Sequence, residues 1–169
     1  MRTHSGRPAA GETDFADFFA ASARPLRRTA YGLVGDWDRA EELTQAALVR
    51  VYPHWAKVKD GNPHAYARRV LVNIFLDERR YAAEQPTASV PDRIMAGEPD
   101  PADRLDLGAA LARLPKQMRA VVVLRFLDDR PVAEVADVLG IAEGTVKSHT
   151  HRALAALHGL LATPTGGER

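Results

Sequence analysis

One segment divides this chain before any other feature is read. From Ala82 to Asp103 the sequence AAEQPTASVPDRIMAGEPDPAD carries four prolines, five acids and a single arginine, with almost no periodic apolar pattern. Proline fixes φ and lacks an amide N–H, so a regular helix or sheet ladder does not pass through such a stretch. It predicts an extended acidic linker. The 169 residues therefore fall into two small units, 13–81 and 104–162, with frayed tails at 1–12 and 163–169.

Both units read as helical, which gives an all-α fold class of two small helical domains on a flexible linker. Alternating β-branched runs are absent, and apolar residues recur instead at spacings of three and four. The first helix starts near Thr13, with Phe15, Phe18, Phe19, Ser22 and Leu26 on one side, a bend at Pro25 and a stop at Gly35. A second begins at Asp36 or Asp38. Asp38 and Glu41 have the spacing of a capping box, and the apolar stripe is Ala40, Leu43, Ala47 and Val51 up to Pro53. Asn62-Pro63 opens a third helix that runs to about Tyr81 and buries Tyr66, Val70, Leu71 and Ile74. After the linker, Asp103 caps a helix carrying Leu107, Leu111 and Leu114, closed by Pro115. A fifth helix runs from Lys116 to about Leu127.

The stretch PVAEVADVLGIAEGTVKSHTHRALAALHGLL, Pro131 to Leu161, is the most specific in the chain. Two amphipathic helices meet at Gly140, which can take the positive φ of a tight turn. Small Ala136 lets the helices cross closely, Ile141 plugs the corner, and Val146 opens the inner face of the second helix. This is the pattern of a helix-turn-helix. In the second helix Val146, Ala153, Leu154 and Leu157 read as inward. Gly144, Lys147, Ser148, His151, Arg152 and Ala155 take the opposite side. Lys147 and Arg152 can reach phosphate or guanine, and Ser148 and His151 can bond bases or backbone. His149 and His151 lie on different faces, and His151 and His158 are two turns apart, so no zinc pair forms and no metal site is expected.

Charge and composition narrow the class further. Residues 1–81 carry +3, the linker segment −4 and residues 104–169 +2. Two mildly basic units flanking an acidic stretch suit a polyanionic partner but fall short of a strong autonomous DNA binder. There are no cysteines, which removes disulfides and thiolate sites together. No run of about 18 apolar residues marks a membrane span, and Met1 to Gly11 has no apolar core of a signal peptide. A cytoplasmic protein is the expectation. No glycine-rich phosphate loop or clustered acid–base set points to an enzyme, and no cofactor is implied.

The first unit resembles a known family. DRAEELTQAALVRVYPHW, Asp38 to Trp55, is similar to region 2.2 of group IV, extracytoplasmic-function (ECF) sigma factors of the sigma-70 family. NPHAYARRVLVNIFLDERR, Asn62 to Arg80, is similar to their regions 2.3 and 2.4, and Leu111 to Leu154 to region 4. An Ala- and Arg-rich composition fits an actinobacterial member. The resemblance implies a promoter-specificity factor that binds core RNA polymerase through the β′ clamp helices and the β flap, and that recognises and melts promoter DNA. It assigns polymerase contact to Asp38, Glu41, Glu42, Gln45 and Arg50. It assigns the minus-ten element to Arg68, Arg69, Asn73, Arg79 and Arg80, with Asn73 reading a flipped base. It assigns the minus-thirty-five element to Thr145, Lys147, Ser148, His151 and Arg152. An anti-sigma factor is a further partner of the kind. Thr150 departs from the family, standing where an aliphatic side chain is common, which should loosen packing. His151 departs too, where an aromatic or basic group is usual. A stand-alone regulator that binds duplex DNA without polymerase is the competing reading.

Overall fold

The computed structural model describes residues 10–78 and 101–162. The linker through residue 100, the end of the third helix at Tyr81, and the tails at 1–9 and 163–169 lie outside the described residues. At the edges the helices reach further than the sequence implies. Residues 10–12 belong to the first helix, and Asp103 lies inside a helix that opens at Pro101.

Helix α1 (Ala10–Val34) runs through Pro25 to the positive-φ Gly35 (φ 71°). Helix α2 (Trp37–Val51) is capped by Asp36, whose side chain accepts the Arg39 N–H at 2.8 Å. The Asp38–Glu41 capping box does not form, because the chain leaves Gly35 one turn earlier and Asp36 already meets the orphan amide. Glu41 instead pairs with Arg27 of α1 at 3.2 Å. A 3-10 turn (Tyr52–His54) and the short α3 (Trp55–Val58) lead to α4 (Pro63–Asp77), with Asn62 accepting from Ala65 N at 3.0 Å. Helices α1, α2 and α4 pack on one another. All four stripe residues of α2 are buried, and Leu48 and Thr44 join them. In α4 the buried face is rotated from the expected one. Ala67, Arg68, Leu71, Val72, Ile74 and Phe75 are inside, and Tyr66 and Val70 only half-buried.

The C-terminal half consists of α5 (Pro101–Arg113), α6 (Lys116–Val122), α7 (Val132–Leu139) and α8 (Glu143–Ala162). From Val123 to Leu127 helix α6 widens into a π turn, closed by Asp128 N–H on Val123 O at 3.0 Å. Such a turn re-aims the side chains that follow it. Gly140 takes φ 64° at the end of α7, and Ile141 N–H bonds back to Ala136 O at 3.1 Å, making the tight helix-turn-helix corner. Leu154, expected to face inward, is 45 % exposed; the inner line of α8 is Val146, Ala153 and Leu157. Thr150 donates its hydroxyl to Val146 O at 2.7 Å. Its polarity is thereby met within the helix.

The two halves do not stand apart. One continuous core runs from Leu33, Leu43, Leu71 and Phe75 into Ala120, Val121, Val123, Leu124, Val135 and Val138. A smaller core, Leu111, Leu114, Val122, Ala153 and Leu157, fills the far side of α6. Sequence alone leaves the relative position of the halves unfixed, since no periodicity says which stripe meets which. Helix α6 is apolar on both sides, so one side must be covered by the first half. Its basic residues complete the join. Neither α1 nor α4 has a basic residue in its last turn. Arg119 donates to Leu33 O (3.0 Å) near the end of α1, and Lys116 donates to Phe75 O (3.1 Å) near the end of α4. Helix C-termini leave four carbonyls without intrahelical partners, and cations there are favourable. Helices α1 and α4 of the first half thus each receive a cation at the C-terminal end from the second half. Burial holds the Arg119 guanidinium below its ordinary pKa.

Candidate functional site

Three surfaces gather the residues singled out in the sequence. The first is the outer face of α2. Asp38, Glu42, Gln45 and Arg50 are exposed, while Glu41 is half-buried between Arg27 and the Gln45 amide, which donates to it at 3.2 Å. Val49 is 70 % exposed and Tyr52 52 % exposed. Spaced four and seven residues after Gln45, they continue the same helical face. An exposed valine on an amphipathic helix was visible in the sequence only as a break in its polar side. Tyr52 stacks edge-on against Phe15 (4.9 Å between centroids), which ties this surface to α1.

The second surface is α4. Asn73 is exposed between buried Val72 and Ile74. Arg69, four residues earlier, is also exposed, and its Nη2 donates to Asp137 O at 2.8 Å. Arg68 turns the other way. It is 9 % exposed, donates through Nε to Asp128 Oδ2, and through Nη1 to Glu134 Oε1 at 3.1 Å. Arg79 and Arg80 lie outside the described residues. The structure thus brings Asn73 and Arg69 together and sends Arg68 into the joint between the halves. Sequence reasoning missed Asp128 and Glu134, which lie sixty or more residues from their partner, and no local pattern marks them.

The third surface is α8. Thr145, Lys147, Ser148, His151 and Arg152 are all exposed. A β-carbon added at Gly144 would meet nothing within 4 Å, so the start of this face is open. Among the described residues no group of three His, Asp or Glu could hold a metal ion. No helix among them is long and apolar enough to cross a membrane.

Comparison with known proteins places the chain in a family. The family model "Sigma-70 region 2" matches residues 18–85, and "Sigma-70, region 4" matches residues 104–157. The chain belongs to the sigma-70 family. It is 39 % identical over 154 residues to the "RNA polymerase sigma-E factor" of Streptomyces antibioticus, covering 89 % of this chain and 86 % of that protein. It is 35 % identical to the "ECF RNA polymerase sigma factor SigL" of Mycobacterium tuberculosis, covering 93 % and 94 %. Its fold is similar to that of the sigma factor RpoE from Bartonella quintana, solved in complex with the anti-sigma factor NepR. That match has a TM-score of 0.74 at 24 % identity and covers 90 % of this chain and 99 % of that one. As an ECF sigma factor the chain binds core RNA polymerase and recognises promoter DNA, and α7–α8 is the helix-turn-helix of region 4.

Proposed function

We propose that this sigma factor divides its work among the three surfaces. The α2 face (Asp38, Glu41, Glu42, Gln45 and Arg50, extended by Val49 and Tyr52) docks on the β′ clamp helices, and region 4 engages the β flap. Polar groups ringing a small apolar centre are the composition of a specific, reversible protein interface. Asn73 captures a base flipped from the minus-ten element through its amide, while Arg68, Arg69, Arg79 and Arg80 hold phosphates of the melted strand. Thr145, Lys147, Ser148, His151 and Arg152 read the minus-thirty-five element in the major groove. The work is done in the cytoplasm, without catalysis or cofactor, and an anti-sigma factor is the regulatory partner. What supports this reading best is the order of the two matched regions, with Arg69 and Asn73 in the first and Thr145, Lys147, Ser148, His151 and Arg152 in the second on outward helix faces. Run-off transcription with core enzyme on genomic fragments finds the promoters. On such a promoter Asn73→Ala should keep core binding and lose strand opening, read by permanganate footprinting. Unchanged melting would reject the role of Asn73.

A further inference from the structure

A groove of about 180 Å³ runs between α2 and α4, beside the outer face of α2. Its floor is apolar: Val34 from the end of α1, Leu43 and Ala46 from α2, and Ile74 from α4. Leu43 and Ile74 are buried and Val34 and Ala46 half-buried, so the floor is the margin of the core itself. Small-molecule sites usually enclose about 300 Å³ or more. This groove has the size of one large side chain. Ala46 contributes only a methyl group to it, and a longer side chain there would fill the space.

The rim is charged and mostly acidic. Glu42 and Glu78 line it from opposite helices, and Arg39 crosses to Glu78 at 3.2 Å. That pair is loosely held, with side chains 61 % and 32 % exposed. An exposed ion pair of this kind contributes little to stability, so Arg39 can change partner at small cost. Glu42 also belongs to the outer face of α2, four residues after Asp38 and three before Gln45. Groove and face are therefore one continuous surface. A partner helix that offers one aliphatic side chain, with Lys or Arg a turn away, would match both floor and rim.

We infer that this groove is the anchor pocket of the polymerase dock: one large aliphatic side chain of core polymerase enters between α2 and α4, while a neighbouring cation pairs with Glu42 and Glu78. The inference rests on the reading of the α2 face as the polymerase-binding surface, and the test separates the two. Interfaces draw most of their binding energy from a few residues seated in well-packed, desolvated pockets, ringed by groups that exclude water. The polar α2 face supplies encounter and register. The groove supplies burial.

Ala46→Phe fills the groove without changing charge, and Glu78→Lys reverses its rim on α4. Gln45→Lys alters the exposed α2 face outside the groove. Affinity of each full-length chain for core polymerase is read by fluorescence anisotropy of an amino-terminal dye at two salt concentrations, with circular dichroism to check helicity. Ala46→Phe should weaken core binding roughly tenfold or more, equally at both salts. The loss with Glu78→Lys should shrink at the higher salt, because mobile ions screen the rim. Should Ala46→Phe lose helicity, Glu78→Lys carries the test. Weaker binding by Gln45→Lys alone overturns the groove and keeps the α2 face as the dock. Full affinity in all three variants overturns that reading, and the groove with it. Light scattering on the free chain reads the other occupant, a second copy: a dimer that Ala46→Phe dissolves overturns polymerase as the guest.

Discussion

Arg152 and Lys147 share the outer face of α8 yet differ in what their chemistry can do. The Arg fork can take two acceptors of one guanine, whereas the ammonium of Lys is a point charge suited to phosphate. Arg152→Ala should therefore cost about 1–3 kcal/mol and relax preference at one position, while Lys147→Ala should weaken all sites alike. Binding of each variant to a library of minus-thirty-five elements decides between them, and the reverse pattern refutes the assignment. The exposure of both was legible from helical periodicity, because a strong inner line of Val146, Ala153 and Leu157 fixes the outer one. Arg68 was not legible. Its neighbours in sequence place it among exposed arginines, and only the distant carboxylates of Asp128 and Glu134 make its burial tolerable, since an unpaired buried charge costs several kcal/mol.

Among the elements, the helix-turn-helix was read nearly complete, because its corner depends on local stereochemistry. Gly140 sits in the left-handed region with φ 64° and ψ 36°. A β-carbon there would meet no neighbour within 4 Å, so its cost is purely conformational. Gly140→Ala should destabilise the fold by about 1–2 kcal/mol, read as a lower midpoint of urea unfolding; an unshifted midpoint would show that the turn relaxes. Helix α6, with the turn that continues it, was read less well. Its apolar run from Ala120 to Leu124 predicts burial but not the π turn, which follows from having to serve two cores at once. Capping at the start of α2 moved for a comparable reason. Asp36 and Asp38 offer the same chemistry, and the exit direction from Gly35 decides between them.

For the whole molecule, the two matched regions and their order were legible, whereas the joint between them was not. Residues that meet there are about forty to ninety-five positions apart and include backbone carbonyls, which carry no mark in a sequence. The free chain carries only +3 over residues 1–81 and +2 over residues 104–169, with Arg68 already paired. It should bind a matched promoter duplex weakly, and core polymerase should tighten that binding greatly by holding its halves at the spacing the promoter requires. Fluorescence anisotropy at one salt concentration, with and without core, measures the difference; nanomolar sequence-specific binding by the free chain would favour a stand-alone regulator instead. Ionic strength then enters on one side only. Mobile ions screen the exposed faces of α4 and α8 but reach the enclosed Arg68 pairs poorly. A rise in salt would loosen the factor's grip on its promoter while the buried pairs between its halves persist, so promoter occupancy would respond to ionic strength where the packing of the halves would not.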